Sequence, residues 1–310
     1  MKQRLLRILN RLLQSAVTLL GVSLLVFFIT HAIPADPVAV VAGPKADPET
    51  RERIRKQLGL DDPLWEQYGR YLWGVLHGDL GKSFVTGERV TDAILRRFPS
   101  TLLLSLGGVA IWLLVGVPVG VLTAKFRDKP IDRTTLVLAM VGISLPTFWL
   151  GRLLQYQFAY RDGVLPVAGF FSWDCLILPA ITLGVVGAGY YARLVHSNMV
   201  EVLNQDYIRA ARARGLSEPV VLFKHALRNA LIPVLTVLGL DVAALLAGVV
   251  FTESVFALPG LGALALQAVL NLDVPMIMGT VMFAAVLVVA ANILVDIVYR
   301  LVDPRIQRAA

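Results

Sequence analysis

Cysteine is nearly missing from this chain: Cys175 stands alone among 310 residues. That excludes an intrachain disulfide and a cysteine-based metal cluster. Histidine is scarce too, and His31, His77, His196 and His225 show no ligand spacing such as His-Glu-x-x-His. Charge is thin, at 16% of residues, against about 25% in a soluble domain. No tract repeats with a period of ~20–50 residues, so a single domain, 1–310, is expected.

What replaces charge is apolar surface. The chain is 56% hydrophobic with a mean hydropathy of +0.69, more than one globular core hides, which makes lipid the expected solvent. A helix crossing a bilayer needs about 20 mostly apolar residues. Six stretches qualify: 12–33, 101–124, 134–159, 176–192 (extending toward Val202), 231–252 and 275–301. Pro118, Pro146 and Pro179 do not veto them, because membrane helices tolerate proline when neighbours satisfy the backbone. The fold class expected is an all-α polytopic membrane protein with six transmembrane helices. The basic start, Lys2, Arg4, Arg7 and Arg11, precedes a run longer than a signal-peptide core, and Pro34 follows it, so the first helix is expected to stay uncleaved.

Basic residues orient the spans. Lys125, Arg127, Lys129 and Arg133 fall between spans two and three. Arg209, Arg212, Arg214, Lys224 and Arg228 fall between four and five, and Arg300, Arg305 and Arg308 close the chain. The short loops on the other side hold Arg161 alone. The positive-inside rule then puts both termini in the cytoplasm. It also explains the net charge of +7 as a membrane-face bias rather than a nucleic-acid footprint. The long segment 35–99 becomes an extracytoplasmic loop with short helices. Asp47 is the expected N-cap of one, with Pro48 at its first position and Gly59 at its end. Asp62-Pro63 opens another, with Trp65, Tyr68 and Leu72 on one interfacial face.

A nucleotide site is the tempting misreading of this loop. Gly81-Lys82-Ser83 ends like a phosphate-binding loop, but that motif needs glycine five residues before Gly81, and Leu76 stands there. Tyr71 to Leu76 reads as an amphipathic helix rather than a buried strand. His77-Gly-Asp-Leu-Gly-Lys-Ser-Phe84 is therefore expected to be a Gly-rich turn.

The segment 205–233 is too long for a simple turn. Asp206 is placed to cap a short helix and Gly215 to end it in the left-handed conformation. Ser217 caps the next helix, with Glu218 and Pro219 in its first turn, and Pro233 marks where the fifth span starts. Ala210, Ala211 and Ala213 give the first helix a small side, and Arg209, Arg212 and Arg214 a cationic one. The hairpin, 203–230, is expected on the cytoplasmic surface.

This segment resembles the Glu-Ala-Ala coupling segment of permease subunits in ABC importers: Ala210-Ala211, three residues, then Gly215, with Arg209 in place of Glu. That departure occurs in the inner-membrane permease family for dipeptides, oligopeptides, glutathione and nickel. The resemblance runs along nearly the whole chain: Ile33-Pro34-Ala35-Asp36-Pro37, Gln57-Leu58-Gly59-Leu60-Asp61, Gly78-Asp79-Leu80-Gly81, Ser144-Leu145-Pro146-Thr147-Phe148-Trp149, Asp206-Tyr207-Ile208-Arg209, Arg228-Asn229-Ala230, Pro259-Gly260-Leu261-Gly262 and Asp303-Pro304-Arg305-Ile306. It implies a type I ABC importer permease fold in a bacterial or archaeal cytoplasmic membrane, importing short peptides, with nickel or glutathione as alternative cargo. It implies a second, related permease chain, two ATPase subunits and an extracytoplasmic substrate-binding protein. The chain would bind no cofactor, ATP and Mg belonging to the partner subunits. Docking to an ATPase would fall to Asp206, Tyr207, Arg209, Ala210, Ala211, Arg212 and Gly215.

Charges at membrane depth cost about 2.5–3.5 kcal/mol on insertion scales, so the few present call for a role. Asp241, in the fifth span, reads either as a pathway residue or as a helix–helix hydrogen bond. Glu253, Pro259 and Gly260, around the turn 256–262, are candidate gate residues. Asn292 and Asp296, four apart on the sixth span, share a face and read as packing contacts. Arg152 reads as a snorkelling side chain. A membrane-embedded protease fits poorly, since no Gly-x-Ser-x-Gly surrounds Ser105, Ser144 or Ser197 and neighbouring His196 and Ser197 share no helix face. An ion-driven secondary transporter would be expected to show inverted repeats.

Overall fold

Proline and glycine set the boundaries of the helices. The structure is a computed structural model that describes residues 2–32, 37–43 and 45–302, with side chains at 2–8 and 296–302 excepted. The motif residues Ile33 to Asp36 and Asp303 to Ile306, the basic tail and the side chain of Asp296 lie outside the described residues. Helices run α1 (Lys2–Ala32), α2 (Pro37–Ala42), α3 (Pro48–Leu58), α4 (Leu64–Leu76), α5 (Val90–Ile111), α6 (Val117–Lys125), α7 (Pro130–Ser144) and α8 (Thr147–Leu154). They continue as α9 (Ile177–Leu203), α10 (Asp206–Ala213), α11 (Glu218–Val220), α12 (Leu227–Leu246), α13 (Val250–Val255), α14 (Leu261–Leu270) and α15 (Val274–Val302).

Among the described residues, five helices are long and apolar enough to cross a membrane: Leu9–Ala32, Val90–Lys125, Trp173–Leu203, Glu218–Leu246 and Val274–Val295. Pro130–Ser144 and Thr147–Arg161 make a sixth span only as a pair, bent by 97°. Two expected spans are thereby corrected. The third is broken at Leu145-Pro146, because Pro146 lacks an amide donor and holds Leu145 extended (ψ 126). The fifth ends at Leu246 rather than Thr252, which sits in the separate α13. It also begins earlier, so Pro233 lies inside a helix rather than at its start. A π-helical turn, Val221–Ala226, joins α11 to α12. A similar turn, Trp112–Gly116, joins α5 to α6 ahead of Pro118.

By contact density the chain divides into two compact units: 1–99 with 247–250 and 259–289, and 100–246 with 251–258 and 290–310. In the first, α1, the start of α5, α14 and α15 share a core that includes Phe27, Ile94, Leu261 and Met276. The helix α4 packs on α1 through Tyr68, whose ring meets Phe27 edge-on at 5.3 Å and whose hydroxyl lies 2.9 Å from Ser23 Oγ. Leu72 is half-buried, whereas Trp65 is 75% exposed. The expected caps of α3 are present: Thr50 N donates to Asp47 Oδ1 at 2.8 Å, and Gly59 is left-handed at φ 63. At α4 the expectation shifts by one residue, since Pro63 holds the N-cap position and the Asp62 carboxylate pairs with Arg70 at 2.9 Å instead.

The stretch His77 to Phe84 is a loop with glycines at φ 75 (Gly78) and 83 (Gly81), closed by a bridge between Lys82 and Arg89. Ser83 is buried and donates to Asp273 Oδ2 at 2.5 Å, while its oxygen accepts from Val85 N and Thr86 N. Phe84 N donates to Asp273 Oδ1 at 3.0 Å. A buried carboxylate therefore organises this loop.

The second unit is built on α6 against α9. Gly116 and Gly120 lie four apart and face Ala188, Tyr191, Ala192 and Val195 of α9 at close range. A Cβ at Gly120 would sit 2.6 Å from Ala192 O and 2.7 Å from Val195 Cβ. Small residues at such spacing let membrane helices approach closely, where dispersion and hydrogen bonds rather than hydrophobicity drive association.

Candidate functional site

The hairpin is held from within by residues that are buried, not by its charges. Gln205 is the N-cap of α10, so Asp206 stands at the first helical position with its side chain 98% exposed and only a 3.5 Å ion pair to Arg209. The expectation that Asp206 caps this helix is corrected: its acidic charge favours the helix N-terminus without accepting a capping bond. Gly215 ends the helix at φ 79, with Gly215 N donating to Arg212 O at 2.9 Å and Leu216 N to Ala211 O at 3.4 Å. Those two bonds are the 5→2 and 6→1 pair of a Schellman turn. Ser217 occupies the next N-cap without a side-chain bond.

Ile208 and Ala211, three apart, bury one face of α10. They join a core containing Val221, Leu222, Ala226 and Ala230 of the return helix and Val195 and Met199 of α9. Two expected docking residues have partners inside the hairpin. Arg212 donates through Nη2 to Glu218 Oε1 at 2.7 Å and through Nε to Oε2 at 3.2 Å, a two-pronged pair that raises its pKa above the ordinary arginine value. Tyr207 Oη accepts from Asn229 Nδ2 at 3.0 Å. Arg209, Ala210 and Ala213 are exposed.

Asp241, on α12, accepts a hydrogen bond from the Tyr191 hydroxyl at 2.7 Å. Tyr191 is fully buried on α9 and stacks on Trp112 at 5.4 Å, and Trp112 Nε1 donates to Leu183 O at 2.9 Å. The carboxylate thus ties α12 to α9, and Trp112 backs the tyrosine that it holds. Glu253 has a different setting: it is fully buried on α13 and accepts from Thr101 Oγ1 at 2.6 Å. The turn after it holds Ala257 at φ 47, with Leu258 N bonded to Glu253 O at 2.8 Å. Gln155 fixes the same turn by donating to Val255 O at 3.0 Å and Val167 O at 2.7 Å. Arg152 does more than snorkel, since its Nη1 donates to Gln155 Oε1 at 3.1 Å. Pro259 and Gly260 lead into α14, where Gly260 is the extended N-cap and its carbonyl accepts from Leu264 N at 3.1 Å.

Asn292 is exposed on α15. Sequence reasoning missed the buried group around Asp132, whose Oδ1 lies 3.5 Å from His196 Nδ1, itself 3.1 Å from Thr123 Oγ1. It also missed Ile208 and Gln155. The apolar i, i+3 pair Ile208 and Ala211 was the available signal for the first; nothing in the sequence marks Gln155, whose partners are distant backbone carbonyls. Among the described residues no cluster of His, Cys, Asp or Glu could hold a metal ion.

Two family models cover nearly all of the chain. Residues 116–308 match the binding-protein-dependent transport system inner membrane component, and 4–105 match the N-terminal component of the same systems. A Brucella abortus protein assigned to a peptide transport system as its permease is 45% identical, the match covering 97% of this chain and 98% of that one. The dipeptide transport system permease of Escherichia coli is 39% identical and the glutathione transport system permease of Salmonella paratyphi A 42%, each at the same coverage. A solved structure of the MetNI methionine ABC transporter in an inward-facing conformation aligns with a TM-score of 0.56 at 21% identity, covering 68% of this chain and 96% of that one. The helical architecture is therefore that of an ABC importer permease. With a helix content this apolar and both family models in register, the chain belongs to the binding-protein-dependent transport system inner membrane components, as a multi-pass protein of the inner membrane.

Proposed function

We propose that this chain is one permease half of an importer that carries short peptides, with ATP bound and hydrolysed on separate subunits. The relatives are named for peptides, dipeptides and glutathione, itself a short peptide. Both termini face the cytoplasm, 35–99 lies on the outer side and 203–230 on the inner, as the basic loops require. The partners are a second, related permease chain, two ATPases carrying ATP and Mg, and an extracytoplasmic binding protein. The chain supplies no nucleotide site of its own. In support, the Ser83 hydroxyl that would serve a phosphate-binding loop is bonded to the Asp273 carboxylate, which repels phosphate.

The observation that carries the coupling role is the construction of the hairpin. Helix α10 is anchored by Ile208 and Ala211 and stopped by Gly215, leaving Asp206, Arg209, Ala210 and Ala213 outward as the surface that an ATPase receives. Tyr207 and Arg212 hold its pitch through Asn229 and Glu218. In the transport path, Asp241 is the polar group offered to the substrate and Glu253, Pro259 and Gly260 shape the gate.

The test is co-purification of the tagged chain from its host in mild detergent, followed by ATP hydrolysis and dipeptide uptake in vesicles. Two ATPases and a second permease are expected with the natural chain, and loss of the ATPases with Gly215→Pro. A chain that purifies alone with no associated ATPase activity refutes the reading and favours an ion-coupled carrier.

A further inference from the structure

One arginine in the second unit is held at membrane depth without being neutralised. The helices Pro130–Ser144 and Thr147–Arg161 meet at 97°, so α8 runs across α7 instead of continuing along it. The end of α7 sits well inside the span, because a Cβ at Gly142 would lie 3.8 Å from Val185 O. Val185 follows Ile177, the start of α9, by eight residues, about 12 Å at ~1.5 Å per residue. Helix α8 and the π-helical turn Gln155–Arg161 leave from that depth. Gly151, Gln155 and Ala159 recur at intervals of four and are buried, Gly151 against the ring of Phe256. Arg152, Tyr156 and Tyr160 recur at the same interval, one residue on, and are exposed.

Hydrogen bonding fixes where this charge points. Arg152 Nη1 donates to Gln155 Oε1 at 3.1 Å, and Gln155 Nε2 donates in turn to Val167 O and Val255 O. A neutral amide positions the guanidinium and leaves its charge unanswered. Arg161, at the end of the same segment, lies 4.0 Å from Asp162, whereas Arg152 has no carboxylate partner among the described residues. The rest of its five N–H donors remain, in the planar fork that takes a carboxylate in two prongs. Arginines at membrane depth face a bundle interior or a watery path rather than lipid. We propose that Arg152 is a specificity-determining residue in the transport path, which takes the C-terminal carboxylate of the peptide. The rings of Tyr156 and Tyr160, stacked at 5.9 Å, lie beside it for the peptide's own side chain. The inference rests on the peptide-import reading above. Asp241, assigned there to the path, answers only a cationic group; Arg152 supplies the opposite charge that a zwitterion also needs. Gln155 sets the guanidinium beside the turn that follows Glu253, so the carboxylate is recognised next to the gate.

The experiment uses the assembled transporter with its binding protein in vesicles and two probes, alanylalanine and its C-terminal amide. Arg152→Gln is expected to slow uptake of alanylalanine about tenfold, the loss of a hydrogen bond to a charged group, and to leave the amide unchanged. Arg152→Lys recovers part of the rate. Discrimination by the binding protein is common to all variants and cancels in the acid-to-amide ratio. Co-purified ATPase activity reports the assembly of each variant separately. A second measurement omits the binding protein: in detergent, alanylalanine is expected to shield Arg152 from phenylglyoxal, mapped by mass spectrometry, and the amide is not. An acid-to-amide ratio unmoved by Arg152→Gln, equal shielding by the two probes, or an Arg152 that phenylglyoxal never reaches because a partner subunit covers it would each overturn the proposal. A natural chain that carries neither probe refutes the peptide-import reading itself. Uptake of alanylalanine that is indifferent to Arg152→Gln refutes this inference alone.

Discussion

Gly215 and Gly120 both resist substitution on this structure, but for opposite reasons, and alanine and asparagine separate the two. A Cβ at Gly215 would meet nothing within 4 Å, so the obstacle is conformational alone, at φ 79. An alanine held left-handed costs about 1–2 kcal/mol, offset by ~0.4–1 kcal/mol of lost freedom in the unfolded chain. The net loss for Gly215→Ala is therefore about 1 kcal/mol, and less for Gly215→Asn, since asparagine tolerates that conformation. At Gly120 the backbone is helical and alanine should help by roughly 0.5–1 kcal/mol. The new Cβ, however, would sit 2.6 Å from the Ala192 carbonyl and 2.7 Å from Val195 Cβ, and forced overpacking costs about 1–3 kcal/mol. Gly120→Ala is expected to lose about 1 kcal/mol net, and Gly120→Asn more. The assay is amide exchange and thermal unfolding of the assembled transporter. Because the end of the hairpin opens locally rather than with the whole core, Gly215→Ala should speed exchange of the amides at 215 and 216 about fivefold and move the midpoint of unfolding less than Gly120→Ala does. Gly120→Ala should lower that midpoint. A Gly120→Ala protein that melts higher than the parent, or a Gly215→Asn protein as perturbed as Gly215→Ala, would refute the reasoning.

The Tyr191–Asp241 bond should appear in a double-mutant cycle of Tyr191→Phe with Asp241→Asn as a coupling of ~0.6 kcal/mol, with ~1.7 kcal/mol as the upper end seen for membrane hydrogen bonds; additivity would mean that the bond contributes nothing. If Asp241 also meets substrate, Asp241→Asn alone changes the KM of peptide uptake while assembly persists, and unchanged uptake kinetics would remove it from the path. Ser83→Ala strips a donor from buried Asp273 and an acceptor from the Val85 and Thr86 amides, about 1–3 kcal/mol for each buried group left unsatisfied. Limited proteolysis should then cut within 77–89, and an uncut loop would show that Asp273 does not organise it. The hydrogen bonds from Thr50 hold the Asp47 carboxyl below its ordinary value near 3.8, so its cap is fully present above that pH and is lost as pH falls through the lower folded value. Exchange protection at Thr50 and Arg51 should fall only in that acid range, and an equal loss near neutrality would refute the cap.

The spans were legible because their signal is local: twenty apolar residues make a helix in lipid whatever their neighbours do. The caps at Asp47 and Gly59 and the stop at Gly215 were legible for the same reason, each needing only a residue type and a φ angle. The break at Pro146 and the unbroken passage through Pro233 were not, although both are prolines in apolar runs. One is followed by a 97° bend and the other by uninterrupted helix, and that choice is made by packing. The candidate site divides likewise. The hairpin could be read from its small and basic residues, but its anchor, Ile208, is defined by partners on other helices. Asp241 and Glu253 stood out as costly charges, yet their relief by Tyr191 and Thr101 comes from residues 50 and 152 positions away.

Those partners bear on how a push at the hairpin travels. From Glu218 the return helix continues through the π-helical turn and α12 to Leu246 without a loop. At ~1.5 Å per residue, the stretch from Glu218 to Asp241 spans about 35 Å. The opposite end of the hydrogen bond is tied to the hairpin by a separate route, because Tyr191 belongs to the same packed core as Ile208, Ala211, Val221 and Leu222. A core at native density deforms by switching between packings rather than by stretching. If an ATPase displaces α10 as proposed, the load would reach Asp241 along its own helix and Tyr191 across the core, two paths that meet at one 2.7 Å bond. Under the proposed coupling, that bond would take up unequal displacement, either by moving α9 and α12 together or by parting the two side chains. Parting them would free the Asp241 carboxylate for a new donor, and a peptide ammonium group is a donor of the right charge.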